Sequence, residues 1–283
     1  MIYISDNIID AIIKEDMPYS DITMEMLGIE HKKGKIFFNA RNKGVVSGVF
    51  VAVKIFEKLG GKVDFYLHDG EKVKEGDLIL ASSATAGILH AGWKAALNSL
   101  EYLSGISSLC NEMVEKSRKI NPNIMLAATR KSMPLSRQLV TMAFQAGGVV
   151  PHRLGLSETI LIFQQHLEFI GGLDNLENAI KNSKHKAYEK KIILETENYD
   201  DSIKALKYDF ISGLQLDKLS HEEVSEIVAE KNKVNKSLII IAAGGINLSN
   251  VEYYAASMAD VIVSSCFFHA PPMDIKAVIK ENN

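Results

Sequence analysis

The residues able to do chemistry in this chain recur in one kind of place, directly after short apolar runs. Ile124–Ala128 ends in Thr129-Arg130-Lys131, Lys191–Leu194 in Glu195-Thr196-Glu197-Asn198, and Phe210–Leu216 in Asp217-Lys218. Ser237–Ala242 continues into Ala243-Gly244-Gly245-Ile246-Asn247, and Asp260–Ser264 into Ser265. Arg130, Lys131 and the later Arg153 offer cationic donors. A guanidinium matches planar carboxylate or phosphate groups, and an ammonium acts as a point charge. Glu195 and Asp217 are carboxylates on neighbouring runs, suited to Mg2+ held together with a phosphate substrate. Gly244-Gly245, before an expected helix, lets backbone N–H groups approach a phosphate at a positive dipole end. Any one of these features reads as a solvated loop. Together they describe a site for a phosphate, a metal-bound diphosphate and a second anionic partner. Displacing pyrophosphate from a sugar carbon passes through a cationic, oxocarbenium-like state. Carboxylates stabilise that charge, while lysine and Mg2+ stabilise the leaving group.

Such a convergence needs a scaffold that brings strand ends together. From about Ala95 the pattern alternates: helix Ala95–Lys119, the run Ile124–Ala128, helix Leu135–Ala146, then short strands Arg153–Leu156 and Thr159–Phe163. It continues with helix 173–184, strand Lys191–Leu194, helix Asp200–Leu206, strand Phe210–Leu216 and helix 220–231. Strand Ser237–Ala242, helix 247–257 and strand Asp260–Ser264 complete it. Apolar strands separated by single helices are the mark of parallel βαβ units buried on both faces. Six or seven such units suit a barrel, whose chemistry gathers at the C-terminal ends of its strands. The first hundred residues read differently. Strand-like runs Lys35–Ala40, Val45–Val49, Lys62–Leu67 and Leu78–Ser82 surround a helix Phe50–Leu59, with turn signals at His68-Asp69-Gly70 and Glu75-Gly76-Asp77. The stretch Asp69–Leu78 matches the turn of biotinyl carrier domains, but no lysine hairpin tip follows, so it reads as a structural turn.

At 283 residues, 47% apolar and 24% charged, the composition is globular, and a formal charge of −3 argues against a nucleic-acid surface. The acidic start, with Asp6, Asp10, Glu15 and Asp16, is unlike a secretory signal, and no apolar stretch reaches membrane-spanning length. Cys110 and Cys266 lack metal-ligand spacing and read as free thiols of a cytoplasmic protein. His68, His90, His166 and His185 likewise lack ligand spacing.

At these residues the sequence resembles the quinolinate (nicotinate-nucleotide) phosphoribosyltransferase family, and within it the ModD-like branch associated with molybdenum transport genes. The likeness begins at Glu15-Asp16 and Asp21-Ile22-Thr23 and runs through Gly44-Val45-Val46-Ser47-Gly48, Asp69-Gly70, Gly76-Asp77, Ala96-Leu97-Asn98 and Leu103-Ser104-Gly105-Ile106. Its core is Thr129-Arg130-Lys131 with Pro134, Gly147-Gly148, His152-Arg153-Leu154-Gly155-Leu156-Ser157, Glu195, Asp217, Gly244-Gly245-Ile246 and His269.

The resemblance implies an α/β fold: an incomplete seven-stranded parallel α/β barrel over 106–271 and an N-terminal α/β sandwich over 1–105, joined by a C-terminal helix 272–283. It implies Mg2+, phosphoribosyl pyrophosphate as co-substrate, and a homodimer in which Lys94 reaches the partner's site. Arg130, His152 and Arg153 match positions that bind the carboxylates of the base. Lys131, Glu195, Asp217 and Gly244-Gly245 match positions around the donor and Mg2+. His269, before Ala270-Pro271-Pro272, reads equally as a phosphate contact or as a loop cap. Two departures stand out. Phe163 occupies the place of a lysine that touches both base and donor, and Ser265 that of a glycine near the phosphate. Losing a cation from a site for a dianionic base costs about 1–3 kcal/mol, which points to a less charged aromatic acceptor. A catalytically reduced small-molecule or oxyanion-binding protein of molybdenum transport is the alternative from another class. A Schiff-base aldolase using Lys131 is a remote third.

Overall fold

The computed structural model describes residues 2–182 and 189–282, so His185 and the end of the expected helix 173–184 lie outside the described residues. In chain order the elements begin with α1 (Asp6–Asp16), α2 (Ile22–Leu27), β1 (Lys33–Ala40), β2 (Gly44–Val45), α3 (Val49–Lys58), β3 (Lys62–Tyr66), β4 (Lys72–Val73), β5 (Leu78–Thr85) and α4 (Ala86–Ile120). There follow β6 (Met125–Ala128), α5 (Arg137–Ala146), β7 (Val150–Pro151), β8 (Ile160–Ile162), α6 (Gln164–Ile170), α7 (Leu176–Lys181), β9 (Ile192–Thr196) and α8 (Tyr199–Ala205). The last are β10 (Gly213–Asp217), α9 (His221–Val234), β11 (Ile239–Ala243), α10 (Val251–Ala256), β12 (Val261–Ser264) and β13 (Ile275–Glu281). They fall into two compact units. One comprises 1–111, 132–148 and 268–283; the other comprises 112–131 and 149–267.

The first unit is a two-layer α/β arrangement. Its antiparallel sheet has the order β13-β1-β5-β3, and β2 pairs with β4 in a separate ribbon. Strand β1 alternates as a half-buried strand must: Ile36, Phe38 and Ala40 are buried. They pack with Val49, Val53 and Phe56 of α3 and Leu89, Ala96 and Leu100 of α4. The segment 272–283, expected as a helix, is instead largely strand β13, antiparallel to β1 from Gly34 opposite Glu281 to Ala40 opposite Ile275. Ile275, Val278 and Ile279 are β-branched and suit a pleated surface, and Ile275 is buried in this core. The helix expected from Ala95 begins earlier, at Ala86, directly from the end of β5.

The second unit is a seven-stranded parallel sheet in the order β7-β6-β12-β11-β10-β9-β8, an incomplete barrel whose edges β7 and β8 are not paired with each other. Successive side chains on a strand point to opposite faces. One face therefore collects Ala127, Ile241, Ala243 and Val263 as a buried cluster, with Ile193, Ile239 and Val261 packed against it. This apolar set is the floor beneath the strand ends. The strand expected over Arg153–Leu156 is not formed. Strand β7 is Val150–Pro151, and 152–159 is a connection of turns and bends crossing from one edge strand to the other.

Candidate active site

The same alternation that fills the floor places the polar residues above it. Glu195 lies two positions after Ile193 on β9, and Gln215 and Asp217 lie two and four positions after Gly213 on β10. In register, Glu195 faces Gln215 and Asp217 faces Ala243. These side chains rise into a cavity of about 630 Å³. Its lining includes Arg130, Lys131, His152, Arg153, Phe163, Glu195, Asp217, Gly244, Gly245 and Ser265, all within the second unit. Lys94 and His269 belong to the first unit, and both are exposed. The Lys94 ammonium lies 5.0 Å from the Trp93 ring centroid.

One side of the cavity is acidic. Carboxylate oxygens of Glu195, Glu197 and Asp217 all lie within 4.8 Å of one another. Burial first, and the Asp217 carboxylate second, push the Glu195 carboxyl up to about 7, against a hydrogen bond from Gln215. Three converging carboxylates repel one another, and a divalent cation with oxygen ligands relieves that repulsion. The donor set therefore fits Mg2+. The Gln215 amide donates from Nε2 to Glu195 Oε2, while its Oε1 is buried with no hydrogen-bond partner. An unmatched buried acceptor of this kind costs on the order of 1–3 kcal/mol. Lys218 follows Asp217 in the left-handed region, φ 62°, with its ammonium 3.4 Å from Asp217 Oδ2.

The opposite side is cationic. Among the described residues, Arg130, Lys131 and Arg153 make no ion pair with a carboxylate, and their charge is left for a ligand. Burial, then the neighbouring Arg130, lowers the Arg153 pKa, although the Glu195 carboxylate opposes this. The Arg153 guanidinium carbon lies 5.4 Å from the Phe163 ring centroid, a cation–π contact that joins the ends of β7 and β8 across the open seam of the barrel. A guanidinium held by a ring contact of this kind still has N–H donors for a carboxylate. Phe163 is held in turn by His166: the Phe163 N–H donates to His166 Nδ1 at 3.0 Å, and the two rings stack 5.6 Å apart at 20°. Burial first, and Arg153 second, hold the His152 imidazole below its usual pKa range, and its Nε2 is buried without a partner.

Between the two sides lies the glycine turn. Gly244 and Gly245 both take positive φ, 86° and 71°. A Cβ on Gly244 would stand 2.5 Å from the Lys218 nitrogen and 2.8 Å from Asp217 Oδ1, whereas one on Gly245 would meet open space. Neither glycine N–H has a protein partner among the described residues. The turn is fixed by Asn247 Nδ2 and Asn250 Nδ2, which donate to the Gly245 carbonyl at 3.1 and 3.2 Å, and by Ser264 Oγ, which donates to the Ile246 carbonyl at 2.5 Å. The expected helix 247–257 corresponds to α10, Val251–Ala256, six residues long and starting beyond an Asn247–Asn250 turn. The glycine pair therefore offers bare amides in place of a helix dipole.

Glu197, Gln215 and Lys218 also line the cavity, and His166 supports Phe163 beside it; none of the four was assigned a role in the site from sequence. Glu197 and Gln215 each stand two residues from a residue that was, Glu195 and Asp217, a spacing that period-2 reasoning could have used. His166 carried a weaker signal, as the third residue after Phe163 at a helix start.

The model of the quinolinate phosphoribosyl transferase C-terminal domain matches residues 106–278, and that of the N-terminal domain matches 21–104. The chain belongs to the quinolinate phosphoribosyltransferase family. Membership makes it an enzyme of the pentosyltransferase class. Over 281 residues it is 35% identical to the candidate pyrophosphorylase ModD of Pasteurella multocida, covering 99% of both chains. It is 31% identical over 258 residues to a candidate carboxylating nicotinate-nucleotide pyrophosphorylase of Archaeoglobus fulgidus, covering 90% of this chain and 96% of that one. Its fold matches NadC from Streptococcus pyogenes with a TM-score of 0.88 at 23% identity, covering 98% of each chain. It also matches a nicotinate-nucleotide pyrophosphorylase from Ehrlichia chaffeensis with a TM-score of 0.89 at 24% identity, covering 99% and 100%. In this phosphoribosyltransferase fold, the curled parallel sheet and the separate antiparallel sheet are shared with these structures. Among the described residues no helix is long and apolar enough to cross a membrane.

Proposed function

We propose that the enzyme transfers a phosphoribosyl group from phosphoribosyl pyrophosphate to a planar, carboxylated heteroaromatic base, with release of pyrophosphate. The observation that carries this reading is the division of one cavity into three close carboxylates, a bare glycine turn and a set of unpaired cations. Glu195, Glu197 and Asp217 would hold Mg2+, which supplies charge neutralisation to the diphosphate when bound. Lys131 and the Gly244-Gly245 amides meet the donor's phosphate oxygens. The acidic side faces the sugar carbon as positive charge develops there. The Arg153 fork takes a carboxylate of the base, and the Phe163 ring carries no charge to match a second one. His152, held neutral, adds a single hydrogen bond through Nε2. In the transfer, a ring-nitrogen lone pair forms the new bond to the sugar carbon. The carbon–oxygen bond to pyrophosphate breaks, and its electron pair leaves with the pyrophosphate.

The working assembly in this reading is a cytoplasmic homodimer in which Lys94 of the partner subunit adds one more cation to the acceptor side. Incubation with phosphoribosyl pyrophosphate, Mg2+ and a panel of pyridine mono- and dicarboxylates tests the reading. Release of pyrophosphate that depends on the base, with monocarboxylates preferred, is the expected result. Absence of release with every base, together with absence of donor binding, would overturn it.

A further inference from the structure

The reaction outlined above gives no role to the Gln215 amide, which lines the cavity. Gln215 is 5% exposed, and strand alternation turns its side chain to the cavity beside Asp217, in register with Glu195. Nε2 donates to Glu195 Oε2, and Oε1 is shielded from water with no partner. Glu195 Oε2 accepts from the Gln215 NH2 group, which turns the carbonyl oxygen away from that carboxylate. An ionised carboxylate, as Glu195 would be with a divalent cation bound, only accepts hydrogen bonds and keeps the amide in this orientation. The register neighbour on the other side, Ile241, has no side-chain donor. Oε1 is thus an acceptor awaiting a donor beside the carboxylate cluster. A cation would be drawn to the carboxylates, and an ionised phosphate has no proton to give. A neutral hydroxyl suits it. The phosphoribosyl donor carries hydroxyls on the two carbons nearest the reacting one.

We propose that Gln215 reads a ribose hydroxyl of the donor: Nε2 anchors Glu195, and Oε1 accepts the hydroxyl's hydrogen after a small turn of the terminal amide. The inference rests on the donor assignment above and adds to it a selectivity for the sugar. A deoxy sugar would leave the buried acceptor unmatched and be rejected for that reason.

Calorimetric binding of ribose 5-phosphate, 2-deoxyribose 5-phosphate and 3-deoxyribose 5-phosphate, in the presence of Mg2+, tests this on the full-length protein and on Gln215→Met. The native protein should bind one of the deoxy sugars at least about tenfold more weakly than ribose 5-phosphate. Gln215→Met should bind that pair within about twofold of each other, because its side chain has no acceptor to leave unmatched. Gln215→Leu serves as a second variant if thermal melting shows that the methionine protein does not fold. Equal binding of all three sugars by the native protein, or full discrimination retained in the folded variant, overturns the role of Gln215. Failure of the native protein to bind either ribose 5-phosphate or phosphoribosyl pyrophosphate overturns the donor assignment, and this inference with it.

Discussion

On the side of the cavity formed by the ends of β6, β7 and β8, cations stand without carboxylate partners, whereas β9 and β10 crowd three carboxylates within 4.8 Å. Oppositely charged groups that could have paired within the protein are held apart by the strand order. Strands β12 and β11, with Ser265 and the glycine turn, intervene between Lys131 and Asp217. Apart from the Lys218 ammonium beside Asp217, the carboxylates and the cations of the cavity are not paired with each other. In the proposed reaction the carboxylates take the metal, and the cations take the anionic groups of the donor and the base. The supporting contacts differ too. The acidic side is fixed by a backbone register and one amide, the cationic side by the Arg153–Phe163 cation–π contact across an unpaired seam and the Phe163–His166 stack.

Substitutions that strike one side should therefore leave the other side's ligand nearly unaffected. The largest effect is expected from Asp217→Asn, which removes charge from the acidic side. Steady-state kinetics should show kcat/KM for the donor lower by on the order of 10²–10³-fold, with base affinity retained. An equal loss of base affinity would erase the distinction between the sides. Arg153→Lys keeps the charge but removes the fork and the guanidinium contact with Phe163. It should raise KM for the base about 10- to 100-fold, a loss of about 1.5–3 kcal/mol typical of a hydrogen bond to a charged group, and leave donor binding unchanged.

The smallest effect is the pH dependence of stability. The Glu195 carboxyl lies near 7 when folded, above its ordinary 4.5, so between those values the folded chain holds more protons than the unfolded one. Its contribution to stability is complete below about pH 4.5 and is lost as pH rises through about 7. Melting of the metal-free protein from pH 5 to 8 should show a downward slope that Glu195→Gln lacks. Adding Mg2+ at pH 8 should recover the loss. Identical slopes in both proteins would remove Glu195 from this role.

Much of the barrel unit was legible because its signal is local. Apolar runs such as Phe210–Leu216 followed by Asp217 announce a strand with a functional end, and the floor and mouth follow from period 2. Elements defined by distant partners were less legible. Strand β13 is set by pairing with β1 across the length of the chain, and nothing adjacent to Ile275 signals that partner. The Arg153–Phe163 contact belongs to the same class. Both residues were singled out from sequence, yet their meeting depends on the seam between edge strands, which no local pattern reports. The orphaned Oε1 of Gln215 arises from a register with Glu195, again invisible until the strands are paired.

The most direct test of the divided cavity is calorimetric titration of phosphoribosyl pyrophosphate into the native protein and Asp217→Asn, each with and without Mg2+. Binding by the native protein that strengthens with Mg2+, and a loss of that metal dependence in the variant, is the predicted result. Donor binding that is indifferent to Mg2+, or equally metal-dependent in Asp217→Asn, would contradict the assignment of the acidic side.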